Sequence, residues 1–455
     1  MRRRHRRRLA GLSPRGAATG DAGDAFVPIW VPGLRGRQPS DKIFAMNVLL
    51  VNKFLYPKGG DAISTLSTGK LLADRGHRVV FWGMKHPQNP PYPHEDLFVD
   101  HVDLAGGGSG RERLRAAANI LYSFEARRKI RRLIERERPD IAHLNNYAHQ
   151  ISPSILDALW EARIPTVMTT RDYKLVCPVY SLLRHGTPCD RCTGGRYYHC
   201  LQYKCTRNSR AQSLVNTLEM YLHHKVLHIY DKLDLVIATS QFLADKHKAM
   251  GLRNEIVRLP NFIDVNEWQS DGSPSDGSII YLGRLTPEKG VGTLLQAVRG
   301  LDVPLKILGD GPMKSELEQT AARDGLRNVL FLGHLDGAEL RREMARSRAT
   351  IVPSECIEAF GRIIIESFAL GVPVIGSRIG GIPELVVDGE TGYTFEPGNA
   401  GDLRTKLEKL LGDDEQRARF GRNARARVER EMNRDTHYDQ LMKIYERAAA
   451  KRRNR

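Results

Sequence analysis

Two glutamates eight positions apart, Glu358 and Glu366, stand in the run Ser354-Glu-Cys-Ile-Glu-Ala-Phe-Gly-Arg-Ile-Ile-Ile-Glu366. The first falls in a loop after a short apolar run at 349–353. The second falls inside a helix that Gly371 and Pro373 end. From Phe360 to Glu366 that helix covers about 9 Å, at about 1.5 Å per residue. Two acceptor groups are thus set beside a helix start, whose free N–H groups and dipole attract anions. A ligand with hydroxyls at both ends and phosphates between them fits this pattern, and a nucleotide-sugar is such a ligand. Ile363, Ile364, Ile365 and Phe368 make the helix apolar nearly all round, so Glu366 needs partners.

Two cations complete the set. Gly283-Arg-Leu-Thr-Pro-Glu-Lys-Gly290 follows a predicted strand at 279–282, so Arg284 and Lys289 sit at its carboxyl end. A guanidinium fork and a compact ammonium both suit a diphosphate. Gly309-Asp-Gly-Pro312 ends the next predicted strand, and Gly311 there permits close backbone approach.

The elements that must hold these groups alternate between strand and helix from residue 46 onward, which predicts parallel sheets. Strands are expected at 47–52, 78–82, 140–144, 166–169 and 235–239, and a strand with a Gly-rich loop at 96–110. After the polar break at 269–278 a second series is expected at 279–282, 305–308, 329–332, 349–352 and 374–375. The fold class is α/β, with two Rossmann-like doubly wound domains facing a central cleft. The predicted division is a basic extension at 1–45, an acceptor domain at 46–265 with a Cys-rich insertion at 177–205, a nucleotide-sugar domain at 266–430, and a helix with a basic tail at 431–455.

Over residues 46–445 the chain resembles the retaining glycosyltransferases of family 4, which have the GT-B fold. The matching pieces come in family order: Gly59-Gly60, Leu259-Pro-Asn-Phe-Ile-Asp264, Gly283-Arg284 with Lys289-Gly290, Gly309-Asp-Gly-Pro312, the Glu358/Glu366 pair and Gly380-Gly-Ile-Pro-Glu384. The resemblance implies that Arg284 and Lys289 hold the donor diphosphate and that Glu358 holds the sugar hydroxyls. Backbone N–H groups near Phe360 and Gly361 would help, Glu366 would hold the ribose, and Gly59 and Gly60 would bring the first loop to the diphosphate. It implies no catalytic metal or other cofactor, because cations and helix ends supply the electrostatics.

On the acceptor side the strand at 166–169 runs into Thr170-Arg-Asp-Tyr-Lys-Leu-Val-Cys-Pro178. Relatives commonly carry His-Asp-Tyr here, and this chain has Arg171. Arginine is no base at neutral pH. A front-face retaining reaction can pass the acceptor proton to the leaving phosphate, which Arg171 would stabilise. Asp172 is the alternative polar group, or a turn residue. His143-Leu-Asn-Asn-Tyr-Ala-His149 also leaves a strand end, so His143, Asn145, His149 and Tyr173 are the acceptor-binding candidates. Either histidine could equally be a packed one.

Cys189, Cys192, Cys200 and Cys205 have spacing compatible with a structural zinc, with two disulfides or free thiols as the competing readings. Cys356 reads as a small apolar neighbour of the Glu358 loop. Residues 111–138 read as one basic amphipathic helix with an apolar stripe at Leu114, Ile120, Leu121, Phe124, Ile130, Leu133 and Ile134, packed on the sheet or touching anionic lipid.

The formal net charge is +17, of which +7 falls in residues 1–45 (ten Lys/Arg against three Asp/Glu). That segment reads as disordered, with Met46 as the natural start, and the tail Lys451-Arg-Arg-Asn-Arg455 reads as solvated. No run of apolar residues spans a membrane, and no nucleic-acid motif appears. The expectation is a cytoplasmic hexosyltransferase, peripheral on the inner membrane face. It would act from a nucleoside-diphosphate sugar on a glycan or lipid-linked acceptor in surface polysaccharide synthesis. Its rivals are a catalytically silent nucleotide-sugar-binding scaffold and a phosphorylase or sucrose-type synthase of the same fold.

Overall fold

The computed structural model describes residues 45–101, 110–270 and 272–455, with the backbone alone at 110–114. The expectations for residues 1–44, the Gly-rich loop at 102–109 and the Leu114 side chain lie outside the described residues.

Two six-stranded parallel sheets carry the chain. The first contains β1 (Asn47–Val51), β2 (Arg78–Trp82), β3 (Ile141–Leu144), β4 (Thr166–Thr170), β7 (Leu235–Ala238) and β8 (Ile256–Arg258), in the order β2-β1-β3-β4-β7-β8. Between β4 and β7 lies a two-residue hairpin, β5 (Leu183–Arg184) with β6 (Thr187–Pro188). The second sheet contains β9 (Ile279–Leu282), β10 (Leu305–Leu308), β11 (Val329–Gly333), β12 (Ala349–Val352), β13 (Val374–Ser377) and β14 (Gly392–Phe395). Its order is β11-β10-β9-β12-β13-β14. Both are doubly wound and reverse direction beside their first strand, the place where such sheets take ligands. Their central strands are buried on both faces, so they read as continuous apolar runs.

Strands β8 and β14 were not expected from the sequence. Each is short and lies at a sheet edge, β8 is half-exposed, and neither shows a clear period. The strand expected near residue 96 is a short 3-10 turn, Glu95–Leu97, followed by a single bridge between Met84 and Val99. The single basic helix expected at 111–138 is two helices, Gly110–Leu121 and Phe124–Glu137. Ser123 breaks it, its side chain accepting from the Ala126 N–H as an N-cap.

The last helix, Arg434–Arg453, crosses back and packs on the first domain. Tyr438, Leu441, Tyr445 and Ala448 join the core of that sheet. The basic end is solvated only from Arg453 onward. Arg452 is 7% exposed, and its Nε and Nη2 meet Asp234 Oδ2 at 3.0 and 2.8 Å. Chain order therefore assigns residues 431–455 to the second half, while packing assigns them to the first.

Candidate functional site

In the second domain, β12 stops at Val352 and, after nine intervening residues, the helix Arg362–Ala369 begins. The loop between them holds Glu358, and the next loop pins it. Gly381 N donates to Glu358 O at 2.8 Å. A Cβ on Gly380 would lie 2.3 Å from the same carbonyl, and Gly380 has φ +62, so only glycine fits.

Glu358 and Lys289, 69 positions apart, meet here. Lys289 Nζ lies within salt-bridge distance of Glu358 Oε1, and Ser354 Oγ donates to the same oxygen at 2.8 Å. Burial would raise the Glu358 carboxyl, but Lys289, Ser354 and Cys356 outweigh it and hold it below the ordinary value. Burial would likewise lower Lys289, yet Glu358 carries it above the usual lysine range. Both groups are charged at neutral pH. Arg284 is exposed, and its positive charge works weakly against protonation of Lys289, which Glu358 compensates.

Glu366 is 9% exposed and lies one turn inside the helix. Its partner, Arg362, was not singled out by sequence: Nε meets Glu366 Oε1 at 2.7 Å. Burial raises the Glu366 carboxyl above its ordinary value, with Arg362 offsetting part of the rise. Arg362 Nη1 also lies 3.3 Å from Ser64 Oγ on the helix Gly60–Asp74 of the first domain. Its i,i+4 spacing to Glu366 was the available signal. The two carboxylates thus rest on cations of the site itself, Lys289 and Arg362.

The glycines divide. A Cβ on Gly311 would meet Leu285 O at 2.4 Å, so Gly311 serves the packing of its own domain. Gly60 faces open space, and Gly59 has only Asp61 Oδ1 at 3.6 Å near a Cβ. The protein's own packing does not require glycine at 59 or 60. Phe360 is buried in the second domain's core, beside Gly361.

The acceptor side needs more correction. His143 is 3% exposed and saturated, with Nδ1 2.8 Å from Tyr445 Oη and Nε2 2.7 Å from Thr169 Oγ1. Burial, with Arg171 and His437 nearby, pushes it down to about 3. It is a packed histidine joining the last helix to the sheet and faces no acceptor. Tyr173 is 2% exposed, its ring stacked on His247 at 5.8 Å. Burial raises its phenol above the ordinary value, with the Glu358 and Cys356 charges adding to the rise. His149 takes φ +68 and leans on buried Glu219, 3.5 Å away.

What opens at the carboxyl ends of β3 and β4 is a narrow recess lined by Asn145, Asn146, Arg171, Asp172, Lys174 and Tyr230. Arg171 donates to Asn261, with Asn145 Oδ1 3.4 Å from Nη2. Burial lowers its guanidinium to about 10, so it stays charged at neutral pH. Asp172 accepts from Lys174 N at 2.9 Å, and burial raises its carboxyl. Arg171 Nε, Asn145 Nδ2 and Tyr173 Oη are buried without a hydrogen-bond partner.

All six cysteines are free thiols. Neighbouring Cys205, ahead of the opposing effect of burial, brings the Cys200 thiol down to about 7. Among the described residues, no three His, Cys, Asp or Glu side chains are arranged to hold a metal ion. The four-cysteine zinc set is thus not assembled here, and neither disulfide is formed.

The second half, residues 265–427, matches the family model "Glycosyl transferases group 1", and residues 58–267 match "Glycosyltransferase Family 4". The two matches run consecutively, and the chain belongs to this glycosyltransferase family with the GT-B fold. An uncharacterized glycosyltransferase of Methanocaldococcus jannaschii is 29% identical over 42% of this chain, and the match spans about half (54%) of that protein. The N-acetyl-alpha-D-glucosaminyl L-malate synthase of Bacillus anthracis is 27% identical over 86% of this chain and 94% of its own length. Among solved structures, Anabaena HepE in complex with UDP superposes with a TM-score of 0.62 at 20% identity, over 88% of this chain and 99% of that one.

Proposed function

We propose that this chain is a retaining glycosyltransferase. It moves a hexose from a nucleoside-diphosphate sugar to a hydroxyl of a glycan or lipid-linked acceptor, in surface polysaccharide synthesis on the cytoplasmic side of a membrane. The observation that carries the reading is the Lys289–Glu358 pair beside Arg284 and Glu366. A cation is held where a diphosphate would lie, and two carboxylates are held where hydroxyls would lie, with no protein group in excess. The UDP bound in the neighbouring fold of HepE agrees with this donor class.

Donor binding exchanges partners. The diphosphate takes Lys289 and Arg284, which frees Glu358 for the sugar and lets Glu366 turn to the ribose. The bond from the anomeric carbon to phosphate then breaks, the bond to the acceptor oxygen forms on the same face, and the acceptor proton passes to the departing phosphate oxygen. Arg171 fits this route: a permanent cation can stabilise that phosphate and cannot take the proton. No metal is required by this scheme.

Arg171 also favours the second reading, a silent binder. The test incubates the purified protein with a panel of nucleotide-sugars and lipid or glycan acceptors, following both nucleoside diphosphate release and binding by calorimetry. Turnover with one donor class supports transfer. Binding without turnover, with turnover gained in Arg171→His, would establish the silent reading instead. Formation of sugar 1-phosphate from a glycan and added inorganic phosphate, with no nucleotide-sugar needed, would point to a phosphorylase.

A further inference from the structure

Exposed large apolar side chains are distributed unequally. Of the eight among the described residues, Phe124, Tyr180, Tyr198, Leu214, Leu218 and Val226 belong to the first domain, and only Leu330 and Leu332 to the second. Three of the six fall on one continuous helical segment, Arg210–Tyr221 running into Leu222–Val226. Leu214, Leu218, half-buried Leu222 and Val226 follow at four-residue steps, one stripe along its outer face. Leu214, Leu218 and Val226 are 42, 49 and 66% exposed. His223 Nε2 meets Leu121 O at 2.7 Å, which ties the segment to the chain leading into Phe124, 75% exposed.

The exposed charges on the stripe's own segment, Arg210 and Lys225, are both positive. Residues 178–228 carry seven Lys/Arg and two acids, and one of the acids, Glu219, is fully buried. Arg191, Arg196, Arg210 and Lys225 are exposed. An apolar stripe rimmed by cations matches the interface of an anionic bilayer, which accepts the stripe in its acyl boundary and the cations among its headgroups. A second copy of the chain would set like charges against each other.

We propose that the outer face of residues 210–226 is the surface that seats this protein on an anionic lipid bilayer. It specifies the membrane contact named above and rests on that reading only in the identity of the acceptor. The inner face of the same helix reaches the recess. Lys174, which lines it, holds Glu219 with Nζ 2.6 Å from Oε2.

The test is flotation of the full chain with phosphatidylcholine vesicles, with and without phosphatidylglycerol, in the absence of any nucleotide. Binding to the anionic vesicles alone is expected. The double variant Leu214→Asp/Leu218→Asp should abolish it. Arg210→Gln/Lys225→Gln should weaken partitioning roughly 30-fold. Circular dichroism of both should match the parent. Failure of the parent chain to float overturns the proposal, as does equal flotation of the Leu→Asp variant. A solution dimer that Leu218→Asp converts to monomer overturns it in favour of self-association. Because no donor is present, loss of flotation and loss of sugar transfer are separate results.

Discussion

The two lobes prepare their polar groups in opposite ways. On the donor lobe the charges are already partnered: Lys289 with Glu358, Arg362 with Glu366. On the acceptor lobe, donors at Arg171 Nε, Asn145 Nδ2 and Tyr173 Oη are buried with nothing to bond. A self-paired site is stable when empty and trades ion pairs for ligand contacts of similar energy. An unpaired site stores desolvation cost until something fills it. On the proposed reading, the paired site awaits a ligand of one chemistry, and the unpaired recess is where an acceptor would supply the missing bonds.

Removing a donor-side carboxylate tests that contrast most severely. Glu358→Gln should lower turnover by about 10²- to 10³-fold, the usual effect of losing one preorganised electrostatic group, seen as a fall in kcat for nucleoside diphosphate release. Lys289→Ala should cost about 2–5 kcal/mol of diphosphate affinity and stability together, because it leaves a buried carboxylate unpaired. Calorimetry and thermal unfolding would both register it, and an unchanged melting temperature would show that the pair contributes nothing in the empty state.

Glu366→Ala should weaken nucleoside diphosphate binding by roughly tenfold while leaving inorganic diphosphate untouched, since only the former brings a ribose. Equal weakening of both would remove Glu366 from the ribose site. On the other lobe, His143→Ala should destabilise the fold by about 1–3 kcal/mol through the orphaned Tyr445 and Thr169, with KM for acceptor unchanged. A raised KM would restore His143 to the acceptor site.

The smallest effect is in pH. The Glu358 carboxyl is depressed in the folded state, so its contribution is complete above the unfolded value of 4.5 and fades as pH falls through the folded value. The melting-temperature gap between parent and Glu358→Gln should therefore be constant above about pH 6 and close on acidification.

Much of the architecture was legible because burial on both faces writes parallel strands as plain apolar runs; β1, β9, β10 and β12 are all of that kind. Short edge strands such as β8 and β14 carry no comparable signal. The meeting of Lys289 with Glu358 was foreshadowed because both follow neighbouring strands, β9 and β12, at their carboxyl ends. The acceptor histidine was not, since His143 follows the same rule of position yet turns to Tyr445, 302 residues away.

What the amino-acid order determined by itself is local: which segments bury both faces, where glycine and proline end helices, and which acids and cations stand at the carboxyl ends of strands. Only tertiary structure decided which of those groups meet. It joined Lys289 to Glu358, set Cys205 beside Cys200, and folded the last basic helix back so that Arg452 neutralises Asp234. The reason is that charge pairing and desolvation act through distance in space, and a linear spacing specifies that distance only within a helix turn or across neighbouring strands.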